Sequence, residues 1–162
     1  MNEKNHRYLT KSRFISGTQC SRKLWQEHHQ PRKKPPAMPG SIIDLGNKIG
    51  RGATTIFEDG IMIEPGIAQE EALNITQDLI ADPETQTIFE AAFSYGNTLV
   101  RVDILDRINA KQWRLIEVKS GSSIKPHQLT DAAFQSWVLE NAGIDVVRVE
   151  IAHPNRAYQK TD

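Results

Sequence analysis

Two apolar segments facing each other across a polar turn constrain this chain more than any other feature. Val100-Arg101-Val102-Asp103-Ile104-Leu105 and Leu115-Ile116-Glu117-Val118-Lys119 flank the turn Asn109-Ala110-Lys111. A strand repeats every two residues, so Glu117 and Lys119 point to one side and Val118 to the other. By the same period Arg101, Asp103 and Leu105 share a face. Pairing through the turn brings Asp103 near Glu117 or Lys119. An acid inside so apolar a strand is costly unless it is hydrogen-bonded or holds a metal.

The neighbouring segments fit around this hairpin. Leu9 to His29 reads as two short helical segments broken at Gly17, with Ser21 capping the second and Leu24 and Trp25 on its apolar side. Residues 31–40 hold four prolines and form a surface loop. Ile43 to Phe57 reads as a helix with an apolar stripe of Ile42, Leu45, Ile49, Ala53, Ile56 and Phe57. Gly46, Gly50 and Gly52 each weaken it by about 1 kcal/mol relative to alanine. Such glycines predict a close neighbour, either another helix or a nucleic-acid backbone. Ile61 to Ile63 is a short strand, and Ala68 to Ile80 a helix stopped before Asp82-Pro83.

Strands follow over Thr87 to Phe93, Leu99 to Ile108 and Trp113 to Lys119. A helix from Pro126 to about Ala142 ends at Gly143, and Val146 to Ile151 is a last strand. A right-handed crossover then lays the last strand parallel to the third. The expected fold is α/β: a central mixed sheet of about four strands in α-β-β-β-α-β order, with flanking helices and an N-terminal helical segment. The 162 residues suit a modest core. The expected organisation is a basic helical arm and proline-rich loop over 1–40, then the main domain over 41–162.

Charge is balanced overall but not along the chain. Residues 1–40 carry nine Lys/Arg against two Asp/Glu, and the rest carries eleven against eighteen. The basic arm can either neutralise phosphates or dock on its own acidic body. Arg22, Lys23, Arg32, Lys33 and Lys34 are its candidate nucleic-acid contacts. Trp25 is read as helix packing in preference to a base-stacking platform. The chain has no apolar run long enough for a membrane span and one cysteine, and a secretory signal is not expected. A cytoplasmic location without a membrane partner is therefore expected. No phosphate-binding glycine loop is present, so any ATP-driven unwinding must come from a partner.

Asp103 and Glu117 are hard oxygen ligands suited to Mg²⁺ or Mn²⁺, and the Val118 carbonyl can add a third. Lys119 can orient an attacking water or steady charge on a phosphorane. The same types also make a cross-strand ion pair on a solvated face. The polar loop Lys119 to Lys125 suits phosphate contact, with Lys125 and His127 as candidates, although His127 also fits a surface position at a helix start. Asp131 and Gln135 are four residues apart on one helical face, which can turn toward the strand ends. Gln135 would then hold Lys119, a water or a nucleotide.

These residues resemble the PD-(D/E)XK nuclease superfamily, and within it the RecB-like and Cas4-like exonuclease branch. The resemblance rests on Val102-Asp103-Ile104-Leu105, Leu115 to Ser120, Asp131 to Leu139, and the opening Leu9-Thr10-Lys11-Ser12-Arg13-Phe14 with Gln19 to Trp25. It spans roughly residues 9–153. It implies a restriction-endonuclease-like core and a metal-dependent nuclease hydrolysing DNA, with RNA a weaker expectation. Roles in repair, recombination or defence against foreign DNA, a helicase or recombination partner, and a homo-oligomer are all compatible with it. An inactive nucleic-acid-binding or scaffolding protein of the same fold is the alternative.

In that resemblance Asp103 and Glu117 are the metal-binding acids, Lys119 the catalytic lysine and Gln135 the glutamine of the following helix. A helix-borne acid is assigned to Glu71, then Glu70, with Glu90 on the first strand as the fallback. Cys20 resembles the first cysteine of an iron–sulfur set whose other three are absent, so no cluster is expected and Cys20 is expected to be a small buried residue. The glycine-rich helix lacks the histidine such proteins carry. Residues 153–158 read as the opening of a further segment, in either a minimal form or a piece of a longer protein.

Overall fold

The computed structural model describes residues 8–31, 38–155 and 157. Arg32, Lys33 and Lys34 lie outside them. The chain is mixed α/β, with a mixed sheet flanked by helices. In order, the elements are β1 (Leu9–Thr10), α1 (Lys11–Gln19), α2 (Ser21–His29), α3 (Ile42–Thr54), β2 (Ile61–Met62) and α4 (Gln69–Ala81). Then come β3 (Thr87–Tyr95), β4 (Thr98–Arg107), β5 (Gln112–Val118), α5 (Pro126–Asn141) and β6 (Asp145–Ala152). The sheet runs β2-β3-β4-β5-β6, and β1 adds to β4. It thus has six strands where about four are expected, the two extra ones being two-residue pieces.

The meander forms because its turns are chemically specified. Gly96 adopts φ +54 between the paired Tyr95 and Thr98, a left-handed conformation that costs glycine little. At the other end the Asn109 side chain accepts from the backbone N–H groups of Lys111 and Gln112 and pins the β4–β5 turn. The β4–β5 register pairs Ile104 with Ile116 and Leu105 with Leu115. Continuing it sets Asp103 opposite Glu117. The crossover through α5 places β6 parallel to β5, as expected.

Arg107 locks α4 to this end of the sheet. Its guanidinium donates to the carbonyls of Ile80, Asp82 and Thr85 and lies 4.2 Å over the Trp113 ring. On β3, the Ala92 N–H donates to the Thr76 hydroxyl at 2.9 Å, which ties the buried face of α4 to the strand.

The larger core packs Ile88, Val100, Leu105 and Leu115 with Phe134, Val138 and Leu139 of α5 and Ala72 of α4. Phe14 of α1 stacks on Phe134 with ring centroids 4.2 Å apart, so α1 is part of the same packing. A smaller cluster of Phe89, Ile104 and Ile116 takes Ala53 and Phe57.

Several sequence expectations change. The α1–α2 break falls at Cys20, not Gly17, and Ser21 is the first helical residue without a side-chain cap. Gly17 instead makes room for α2: a Cβ there would sit 2.9 Å from Leu24 Cδ2. Cys20 is exposed, not buried. Trp25 is largely exposed rather than packed. The apolar stripe of α3 is only partly used, since Leu45 and Ile56 stay exposed. Among the described residues, Gly46, Gly50 and Gly52 have nothing within 4 Å of an added Cβ, so no close helix contact is seen at them. Among the described residues, no helix is long and apolar enough to cross a membrane.

Candidate active site

Glu117 is the most buried acid of the structure's centre, with 1% of its side chain exposed. Four donor contacts converge on it. Oε1 accepts from Lys11 Nζ at 3.0 Å and from Lys119 Nζ, while Oε2 accepts from Lys11 Nζ at 3.1 Å and Gln135 Nε2 at 2.7 Å. A carboxylate offers about four lone-pair sites, and here all are used. Burial alone pushes the Glu117 carboxyl up, but Lys11 and Lys119 outweigh it and hold it below the usual range.

Asp103 is less well served. Its Oδ2 accepts from the Val118 N–H at 2.7 Å, and Lys11 Nζ lies 3.8 Å from Oδ1. Burial pushes its carboxyl up to about 6, with Lys11 pulling down and the charges of Glu117 and Glu90 adding to the rise. The two acids therefore divide their roles: Glu117 stays ionised, and Asp103 is the one that takes a proton first.

Lys119 is bridged between strand and helix, donating to Glu117 and to Asp131 Oδ2 at 2.7 Å. Burial lowers its pKa, yet the two acids raise it further than burial lowers it. It is an ammonium at neutral pH and acts as a fixed positive charge, not as a base. Gln135 is fully buried on α5 and donates to Glu117; of the expected partners Lys119 is not the one it contacts. Asp131 takes the lysine instead.

A cleft of about 500 Å³ opens beside these groups. Asp103, Val118, Lys119 and Ser120 line one wall, and Gly46, Asn47, Gly50 and Arg51 of α3 line the other. The α3 glycines thus face open space across from the acids. Glu90 also lines the cleft. It lies between the pairs Phe89–Ile104 and Ala91–Val102, hence opposite Asp103, and it adopts φ +58. A non-glycine residue there costs on the order of 1–2 kcal/mol. Strain of this kind marks a position held by its surroundings.

Not every expected residue joins the site. Glu71 and Glu70 are exposed in the first turn of α4. Among the described residues no three His, Cys, Asp or Glu side chains come together as a metal-binding group. The helix-borne acid is thus not brought to Asp103 and Glu117, and Glu90 is the acid that shares their cleft. Arg22 and Lys23 on α2, Lys125 before α5, and His127 in its first turn are all exposed. None of them lines the cleft.

Lys11 is the residue that sequence reasoning missed. It stands 106 positions from Glu117 and reaches it because β1 pairs with β4 and delivers the first residue of α1 to the sheet. Burial pulls its pKa down, but Asp103, Glu117 and Asp131 more than offset this and hold it above the ordinary lysine range. The chain matches no family model and no curated protein.

Asp103 and Glu117 are hard oxygen donors, and the lone pairs of Glu117 are taken by Lys11, Lys119 and Gln135, so a divalent ion would fit here only in place of one of these donors. One ammonium nitrogen already sits within 3.0 Å of Glu117 and 3.8 Å of Asp103, so the pocket between the acids holds a cation. Val118 follows Glu117 in β5, and its N–H donates to Asp103 on β4.

Proposed function

We propose that this chain is a Mg²⁺- or Mn²⁺-dependent nuclease of the PD-(D/E)XK superfamily, with a restriction-endonuclease-like core, that hydrolyses phosphodiester bonds of DNA. The observation carrying this reading is the convergence of Asp103, Glu117 and Lys119 at one end of the sheet, around a cation and beside a cleft. Asp103 and Glu117 are the metal ligands, with the Val118 carbonyl as a third. When bound, the metal lowers the pKa of a water and polarises the phosphoryl oxygens.

The rest is carried by the chain's own residues. Gln135 fixes the Glu117 carboxylate, and Asp131 aims the Lys119 ammonium. Lys119 opposes the negative charge that grows on the phosphorus-bound oxygens. Arg51 and Asn47 line the cleft and would meet the phosphate backbone of a bound strand. Burial of Glu117 against α5 keeps bulk water from competing for its donors.

The test is cleavage of single- and double-stranded DNA and of RNA, with Glu117→Gln as control. The expected result is activity with Mn²⁺ or Mg²⁺, none with chelator, little with Ca²⁺, and none in Glu117→Gln. Equal cleavage by wild type and Glu117→Gln would remove the assignment. One observation favours a second reading, a non-cleaving DNA-binding protein: Lys11 already pairs with both acids. Wild type that binds DNA but leaves it uncut in every metal would support that reading.

A further inference from the structure

Each oxygen of Glu117 is doubly occupied: Oε1 by Lys11 and Lys119, Oε2 by Lys11 and Gln135. A metal can be ligated here only if one donor leaves. The three donors are not equal. Lys119 is anchored independently by Asp131 at 2.7 Å. Gln135 is held in the fully buried face of α5. Among the described residues Lys11 makes its ion pairs with the two acids alone, at 3.0 Å to Glu117 and 3.8 Å to Asp103, while the charge of Asp131 acts on it from further off. Its ammonium lies between Asp103 and Glu117, the space that a cation shared by the two acids would take.

We propose that the Lys11 ammonium is the resident cation of this carboxylate pair, and that a divalent ion loads by displacing it. The inference rests on the metal reading above and adds a component to it: Lys11 and the ion are alternative occupants of one position. Removing the Lys11 charge without replacement would leave Glu117 with Lys119 and Gln135 and Asp103 with only the Val118 N–H, which favours a cation in the Lys11 position. The flexible stem of lysine lets the ammonium swing out while Phe14, three residues on, stays stacked on Phe134. By linkage, whatever holds Lys11 in place weakens metal binding, and metal binding frees Lys11 by the same factor. A contact of DNA phosphates with the freed ammonium would pull the exchange toward the loaded site.

The test is acylation of lysine amines in the intact chain, read by peptide mass spectrometry, with and without Mn²⁺. Lys48, 62% exposed, is the internal reference. The expected result is slow labelling of Lys11 in chelator and a several-fold rise with Mn²⁺, with Lys48 unchanged. Lys11→Met should bind Mn²⁺ roughly tenfold or more tightly than wild type, since a charged competitor is gone. Glu117→Gln should lose Mn²⁺ binding. If Mn²⁺ binds wild type in a Glu117→Gln-sensitive way while Lys11 stays slow to label, displacement is wrong and the metal reading stands. If Mn²⁺ does not bind wild type or Lys11→Met, the metal reading fails and displacement fails with it.

Discussion

Asp103→Asn should make the metal-free protein more stable, because Asp103 is the acid the fold serves worst. Burial pushes its carboxyl from 3.8 to about 6. The folded chain then binds the proton more tightly than the unfolded chain, so stability falls as pH rises between those values. Below about pH 4 the acid is neutral in both states and carries no penalty; above about pH 6 the penalty is complete. At 1.36 kcal/mol per pH unit the ceiling is about 3 kcal/mol. The side chain is 27% exposed. Solvent screening therefore reduces the realised gain to about 1–2 kcal/mol.

Asparagine keeps an oxygen for the Val118 N–H and nearly the same volume. For a domain of this size, 1–2 kcal/mol corresponds to a rise in Tm of about 2–8 °C. Thermal unfolding of both proteins in chelator from pH 4 to 8 measures it. The two Tm curves should meet near pH 4, separate toward pH 6 and stay apart above, with the variant higher. A variant equal to or below wild type at pH 7.5 would refute the assignment of Asp103 as the strained acid.

Two further substitutions probe the scaffold that holds the site. A Cβ on Gly60 would sit 2.2 Å from the Phe89 ring. Gly60→Ala should therefore cost about 1–3 kcal/mol in urea unfolding by displacing the smaller core cluster. Gln135→Leu deletes the 2.7 Å donor to Glu117. It should cost about 1–3 kcal/mol, since a buried carboxylate loses a partner; unchanged stability would show that Glu117 does not need it.

The sheet and half of the site were legible because their information is local. Alternation on each side of Asn109 sets the register, and register sets Asp103 opposite Glu117. Pro126 and Gly143 bracket α5, which carries Asp131 and Gln135 four residues apart to the same strand end. What was missed is non-local. Leu9 and Thr10 become a strand only because they pair with Thr98 and Leu99, and that pairing is what delivers Lys11.

No periodicity in residues 1–40 encodes those contacts. The helix break at Cys20 likewise depends on α2 packing over Gly17, a tertiary effect. Glu71 was favoured over Glu90 by its place on a helix. The φ of Glu90, which turns β3 at the cleft, leaves no trace in residue type. The α3 glycines predict a close neighbour, a helix or a nucleic-acid backbone; among the described residues no helix fills that place, and Gly46 and Gly50 border the open cleft.

The central claim is that Asp103 and Glu117 hold one divalent ion. Anomalous diffraction from a crystal soaked in Mn²⁺ addresses it most directly. The account predicts a single strong peak bonded to oxygens of both carboxylates, with Lys11 swung away. No peak between the two acids, and Lys11 still seated on Glu117 at saturating Mn²⁺, would contradict it.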